Sequence, residues 1–244
     1  MLKKSVVYGA LLATVCMTPS LAHSFYKTGF LAGAQVGASF GNGKFNSTFN
    51  PPAIGGVPST SFSGSSKKTA ALFGILAGYR TVFNQDSTVG FNLEANVFSN
   101  NQLNKQFQFF ANTPADSTVN NQLKKTYSII PSVTLGKVFC GRWHASLGLG
   151  LAISRFKQTV TGVAGAVVGS SASANQNKVG IVPSVGIEYA ASPNVSFTGN
   201  LSYEIYGKVS KTFQDAAKFG TGASYISSVK PKYLTLKVGA VYKF

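Results

Sequence analysis

Charged side chains set among apolar neighbours are the first candidates for chemistry in this sequence. The chain has only six Asp and Glu residues against 22 Lys and Arg. Glu94, Glu188 and Glu204 alternate with apolar residues, and so do Arg80 and Lys237. A charge that faces a narrow interior needs a partner, because an unpaired buried charge is costly. We therefore predict that these five residues form internal ion pairs.

Catalytic chemistry has little support in the sequence. The chain contains two histidines, His23 and His144. Some membrane β-barrels hydrolyse lipids, and they need a His–Ser pair on the lipid-facing surface near the outer rim. His144 instead lies beside a short turn, in a strand whose alternation predicts that it points inward. The sequence offers no metal-ligand cluster, nucleotide-binding loop or Ser/His/Asp set. We predict that the protein is not an enzyme, that it uses no cofactor, and that His144 fills the interior.

The elements that position these charges show an alternation of apolar and polar residues with a period of two, which is typical of β-strands. One face is apolar, and the other consists mainly of Gly, Ser, Thr and Asn. Each segment is near or above the roughly 9–11 residues that a tilted strand needs to cross a bilayer. The eight predicted strands are 30–40, 70–80, 88–100, 125–139, 143–155, 178–189, 195–208 and 232–244.

The predicted connections alternate in length. The long ones are 42–68, 101–123, 157–177 and 209–230, and the short ones are 82–87, 140–142 and 190–194. This asymmetry is typical of outer-membrane barrels, and a soluble β-sandwich, the alternative, gives no reason for it. The interior of an eight-stranded barrel is filled by side chains. We predict an all-β fold, an eight-stranded antiparallel up-and-down transmembrane β-barrel with a plugged lumen.

The first 22 residues have the pattern of a secretory signal peptide. Lys3 and Lys4 precede an apolar stretch at 5–17, and Ser20 and Ala22 supply small residues before a cleavage site. This arrangement is typical of a leader that is removed from the mature protein. We predict a signal peptide at 1–22 that is cleaved after about Ala22, and a barrel domain at 23–244.

The net charge of +16 is carried mainly by lysines in or beside the predicted long loops. This dispersal disfavours nucleic acid as a partner. Two other polyanions stay open: the phosphates of lipopolysaccharide, and glycosaminoglycan-like polymers on host surfaces. The lysines are Lys44, Lys67, Lys68, Lys105, Lys124, Lys125, Lys157, Lys178, Lys208, Lys211, Lys218 and Lys230.

Aromatic residues cluster near the ends of the predicted strands, as an interfacial girdle requires. Tyr79, Trp143 and Tyr189 are the clearest cases. The last strand also carries a distinct pattern, which is made of Lys237, Gly239, Tyr242 and the terminal Phe244. This pattern resembles the assembly signal of outer-membrane proteins. The resemblance implies that the barrel-assembly machinery reads this segment as the closing strand.

The chain from residue 23 onward resembles the small outer-membrane barrels of the OmpA-like, OmpX-like and opacity type, which are grouped as the porin family or outer membrane protein beta-barrel domain. The resemblance implies a protein integral to the cell outer membrane, surrounded by outer-membrane lipid and lipopolysaccharide. The plugged lumen and the lysine-bearing loops predict a structural or adhesin-like role that long extracellular loops carry. The alternative that the sequence leaves open is a small-solute or ion channel.

Overall fold

The computed structural model describes residues 26–50, 59–84, 86–109, 117–164, 167–214 and 224–244. The signal peptide predicted at 1–22 lies outside these ranges. So do His23, Lys218 and the tips of the long connections. Among the residues that are described, no helix is long and apolar enough to cross a membrane.

Ten β-strands account for nearly all of the described chain. All the pairings between them are antiparallel. The strands are β1 (Gly29–Asn50), β2 (Thr60–Phe83), β3 (Ser87–Phe98), β4 (Gln102–Phe109), β5 (Ser117–Phe139), β6 (Trp143–Ala164), β7 (Val167–Ala190), β8 (Val195–Tyr206), β9 (Val209–Phe213) and β10 (Ser224–Lys243).

The strands close into a ring with eight strand positions. β3 and β4 both pair with β5, and β8 and β9 both pair with β10. Each of these two pairs therefore occupies one position in the ring as a single interrupted strand. The order around the sheet is otherwise that of the chain, and pairing of β1 with β10 closes it. The predicted eight-stranded, antiparallel, up-and-down barrel is confirmed.

A belt of exposed apolar side chains surrounds the end of the barrel that bears the short turns. Leu147, Leu149 and Val179 on this belt are each at least 60% exposed. The alternate positions face inward and are small or polar, because the interior of an eight-stranded barrel is narrow. Gly136 is one case: a Cβ atom there would collide with His144 and lie 2.7 Å from the backbone oxygen of Ala145.

The apolar face changes sides further from the short turns. On β1 the exposed Val36 and Phe40 give way to Phe45, which points inward and is 1% exposed. On β6 the exposed Ile153 is followed by the buried Phe156. A sheet presents apolar side chains outward only where lipid surrounds it, and it turns them inward where water does. This inversion marks the outer boundary of the belt.

Beyond the belt the barrel opens along two seams into a sandwich of two four-stranded sheets. One sheet is β9-β10-β1-β2, and the other is β4-β5-β6-β7. Pairing of β2 with β3 ends at Leu72 opposite Phe98, and pairing of β7 with β8 ends at Gly180 opposite Tyr206. Past these points the described residues form no ladder across either seam.

The interior of this outer sandwich is an apolar core. Its fully buried members come from both sheets, including Phe45, Tyr225 and Val229 from one and Leu103 and Phe156 from the other. The prediction that these four connections are long loops is therefore mostly wrong. They are extended hairpins, and only their tips lie outside the described residues. The inverted apolar face is the reason, because these segments also alternate, but in the phase opposite to that of the belt.

A β-bulge in β5 changes which residues face inward. The register between β5 and β6 shifts between Lys125 and Tyr127. Thr126 is exposed, and Lys125, predicted among the loop lysines, is fully buried. An extra residue in a bulge puts two successive side chains out of strict alternation, and single-strand periodicity does not detect it.

Candidate functional site

The interior of the barrel holds three charged layers, and the lowest surrounds Glu188 near the short turns. Arg80 Nη2 lies 2.6 Å from Glu188 Oε2, and Lys243 Nζ lies 3.1 Å from Oε1. His144 Nδ1 is 3.8 Å from Oε2, while its Nε2 is 2.8 Å from the hydroxyl of Thr88. The layer joins side chains from β2, β3, β6, β7 and β10, so it links five strands of the ring.

Tyr26, which precedes β1, packs below this layer at the short-turn end of the barrel. Its side chain is buried, its ring centroid is 5.3 Å from that of His144, and Lys243 Nζ is 3.9 Å from its ring centroid. Its hydroxyl donates to the backbone oxygen of Glu188 at 3.0 Å. Burial, and then the nearby Glu188 carboxylate, raise the pKa of the Tyr26 hydroxyl above its usual range. The hydroxyl therefore stays a hydrogen-bond donor.

The middle layer pairs Lys237 of β10 with Glu94 of β3. The Lys237 ammonium donates to Glu94 Oε2, which also accepts a hydrogen bond from Gln35 Nε2 at 3.1 Å. Gln35 donates to Asn96 Oδ1 at 3.0 Å as well. The pair therefore sits within a small polar network, which satisfies more of the buried carboxylate than a single ion pair does.

The third layer lies directly beneath the apolar core of the outer sandwich. Lys125 Nζ is 2.5 Å from Glu204 Oε2, and both side chains are almost completely buried. The Tyr206 hydroxyl also donates to Glu204, and it accepts from Ser154 Oγ at 2.6 Å. Lys125 Nζ further lies 4.3 Å from the ring centroid of Phe98, a cation–π contact.

All five charged residues predicted inside the barrel lie there, and each belongs to one of these ion pairs. Arg80 meets Glu188, Lys237 meets Glu94, and Glu204 meets Lys125 rather than another predicted residue. The sequence did not predict that Lys125 pairs with Glu204 or that Lys243 pairs with Glu188. The inward phase of β10 was a signal for Lys243, but nothing in the sequence marked the bulge that turns Lys125 inward.

A polar chamber lies between the lowest and the middle layers. Arg80, Asn92, Glu94 and His144 line it, together with hydroxyl-bearing and small side chains and four aliphatic ones. Arg80 Nη1 and Asn200 Oδ1 are buried and have no hydrogen-bond partner among the described residues. Buried polar atoms beside a polar cavity are commonly satisfied by water, so the chamber has the chemistry of a hydrated space. The described residues contain no group of three His, Cys, Asp or Glu side chains that could hold a metal ion.

The outer surface above the belt is strongly basic. In the described part of this half, no exposed Asp or Glu accompanies the cations, because Glu94, Glu188 and Glu204 all point into the interior and Asp86 lies at a short turn. The exposed cations are Lys44, Lys67, Lys68, Lys124, Arg155, Lys157, Lys208, Lys211, Lys230 and Lys232. Lys105 and Lys178 are partly buried.

The predicted interfacial aromatics gather at the opposite end, near the short turns. Trp143 lies directly opposite Tyr189, with ring centroids 4.9 Å apart. Tyr79 makes an edge contact with Phe30 at 4.9 Å between ring centroids. In the C-terminal segment Lys237 faces inward, whereas Tyr242 and the terminal Phe244 are exposed and their ring centroids lie 5.0 Å apart.

No known protein family and no curated protein matches this sequence. Several solved structures are similar to it. Ail, the attachment invasion locus protein of Yersinia pestis, is 12% identical over 90% of this chain and 100% of that chain, with a TM-score of 0.36. Neisserial surface protein A is 17% identical over 85% and 97%, with a TM-score of 0.40. The outer membrane protein OprG from Pseudomonas aeruginosa is 14% identical over 90% and 97%, with a TM-score of 0.49. At these TM-scores the similarities carry no functional argument.

Proposed function

We propose that this protein is an integral outer-membrane barrel with a plugged lumen, whose basic outer sandwich binds anionic surfaces in a structural or adhesin-like role. The observation that carries the proposal is the separation of charge. All three glutamates are paired inside the barrel, while ten exposed cations lie above the apolar belt. A positive potential of this size attracts polyanions from a distance.

The belt supports the proposed membrane location. A girdle of exposed Leu, Ile, Val and Phe around a closed ring is costly in water and favourable in lipid. We further propose that the leader at 1–22 is removed and that Lys237, Gly239, Tyr242 and Phe244 are recognised by the barrel-assembly machinery. The test is heat-modifiability of the protein in outer-membrane fractions. A band that migrates the same with and without boiling, or that is absent from the fraction, contradicts the location.

The plugged lumen is supported by the three charged layers, by Tyr26 and by the apolar core above them. Together they obstruct the interior at successive levels, above and below the polar chamber, from the short-turn end to the outer sandwich. The expected measurement is the absence of porin-level conductance in planar bilayers. We also propose that the protein is not an enzyme, because its one described histidine is buried inside the barrel and away from the outer surface.

A small-solute or ion channel is the second candidate, and the polar chamber is the observation that favours it. Arg80 Nη1 and Asn200 Oδ1 belong to residues that line this chamber, and neither atom has a hydrogen-bond partner in the part of the chain that the structure describes. Water or an ion commonly satisfies such atoms. Single-channel recording separates the two candidates. Discrete openings in the folded wild-type protein favour the channel, and their absence favours the plugged barrel.

The polyanion role has its own test. Retention of the folded protein on heparin is expected to fall when the exposed cations of the outer sandwich are replaced by Gln. Replacement of Lys27 and Lys137, which are exposed at the short-turn end, serves as the control for loss of charge. Retention that depends only on the number of charges removed, from either end, counts against a specific outer binding surface.

A further inference from the structure

Two pairs of lysines lie directly opposite each other on neighbouring strands of the outer sandwich. Lys44 of β1 is in register with Lys230 of β10, and Lys124 of β5 is in register with Lys157 of β6. All four side chains are exposed on the outer face. Directly opposed residues on one face of an antiparallel pair have Cβ atoms about 4.5–5.5 Å apart, and like charges at that distance destabilise the sheet. An anion bound at each pair would offset this repulsion.

Each pair is the centre of a larger cationic patch. The front patch consists of Lys44, Lys67, Lys230 and Lys232, since Lys67 and Lys232 flank Asn42 in the adjacent row. The back patch consists of Lys124, Arg155 and Lys157, with Arg155 one outward position below Lys157. None of these seven residues forms an ion pair with an acid in the described part of the chain.

The two patches occupy opposite sides of the barrel at the same depth. The front patch is centred on the β10–β1 pairing and the back patch on the β5–β6 pairing, the central pairings of the two sandwich sheets. Lys232 is the next outward residue after Leu234 of the belt, and Arg155 is the next after Ile153. Outward residues on one strand are about 7 Å apart, so the cations begin immediately above the apolar surface.

We infer that the two patches are binding sites for the phosphorylated headgroups of an outer-leaflet glycolipid, one molecule on each side of the barrel. The inference rests on the proposed membrane location and defines a partner for it. Lys and Arg bind phosphate through charge-assisted hydrogen bonds. A soluble polyanion needs only charge, whereas these patches adjoin the apolar belt, on which acyl chains can lie while the phosphates reach the lysines. That continuity favours a lipid over a soluble polymer.

The test counts glycolipid molecules that remain bound to the folded full-length protein. Diphosphoryl lipid A is the probe, and native mass spectrometry of the protein released from micelles is the measurement. Wild type is expected to retain two molecules. K44Q/K230Q and K124Q/K157Q are each expected to retain one, and the fourfold variant none. K208Q/K211Q is the matched control, because it removes two exposed charges from the same half, outside both patches, and is expected to retain two.

Four results overturn the inference. The patch variants retain as much lipid A as wild type, or the control loses as much as they do, or dephosphorylated lipid A is retained equally. Heparin fragments that bind at the patches and displace no lipid also overturn it in favour of a soluble polyanion. Each variant is first shown to be a heat-modifiable barrel in the outer membrane, so failure of the sites is distinguished from failure of the proposed location.

A second measurement needs no variant. Amine acylation of the wild-type protein, mapped by mass spectrometry, is expected to slow at Lys44, Lys230, Lys124 and Lys157 when lipid A is added, and to stay unchanged at Lys208. Equal protection at all five lysines contradicts the two sites.

Discussion

Lys125 and Glu204 form an ion pair 2.5 Å apart at the level where the closed barrel becomes a two-sheet sandwich. Lys125 reaches this position only because the bulge before Tyr127 turns its side chain inward. The pair lies beneath the apolar core, and the hydroxyl of Tyr206 donates to the same carboxylate. One polar contact thus joins β5 and β8 across the interior, beside the points where both seams begin.

Removal of one partner of this pair is expected to destabilise the barrel strongly. Lys125→Met leaves the buried Glu204 charge unpaired, a loss of roughly 3–5 kcal/mol in the free energy of unfolding. Urea unfolding of the protein in detergent measures it. Lys137→Met is the control, because its pair with Asp86 is 3.4 Å long and exposed, and such pairs contribute at most about 1 kcal/mol.

A companion variant separates loss of pairing from loss of the lysine itself. Lys125→Met combined with Glu204→Gln removes the orphaned charge and is expected to be more stable than Lys125→Met alone. A double variant that is less stable than the single one shows that the two side chains do not act as a buried pair.

Tyr26 is expected to control access to the polar chamber from the short-turn end. With Ser146→Cys as a reporter in the chamber lining, Tyr26→Ala should speed labelling by a water-soluble maleimide several-fold, because the ring that covers Glu188 and His144 is gone. Tyr26→Phe keeps the ring and should label as slowly as wild type. The same chain without the reporter corrects for other reactive groups. Equal labelling rates in the Tyr26→Ala and wild-type backgrounds contradict the role.

The narrow interior predicts an asymmetry between two glycines. Gly136→Ala places a Cβ atom 2.7 Å from the backbone oxygen of Ala145, and overpacking of this kind costs about 1–3 kcal/mol. Gly207→Ala, the same substitution, meets nothing within 4 Å and is expected to be neutral or to stabilise by up to about 1 kcal/mol. Unfolding free energies of the two variants measure the difference. Similar losses at both positions would mean that crowding around His144 is not the cause.

The apolar belt predicts where a charge is tolerated on the outside. Leu149 is 61% exposed, and Leu149→Arg is expected to cost about 2–4 kcal/mol of stability in a bilayer, as for arginine near the midplane. Ser173→Arg lies on the outer face of β7 beyond the belt and is expected to be tolerated. Folding yield into lipid vesicles is the measurement. Equal yields for both variants place the membrane elsewhere on the barrel.

The sequence by itself determined the eight strands of the ring and their inward and outward faces within the belt. It also determined the inward location of Arg80, Glu94, Glu188, Glu204 and Lys237. These features follow from a period of two along single strands, because alternation reports locally which side of a sheet meets an apolar environment.

The tertiary structure alone decided the partner of each charge and the shape of the outer half. The inward position of Lys125 depends on how β5 pairs with β6, and the lysine pairs depend on register between strands that the linear pattern does not specify. The sequence pattern did not predict the sandwich, for a related reason. Its apolar residues, such as Phe45 and Phe156, face inward where the belt faces outward, and that reversal has meaning only once the position of the lipid is known.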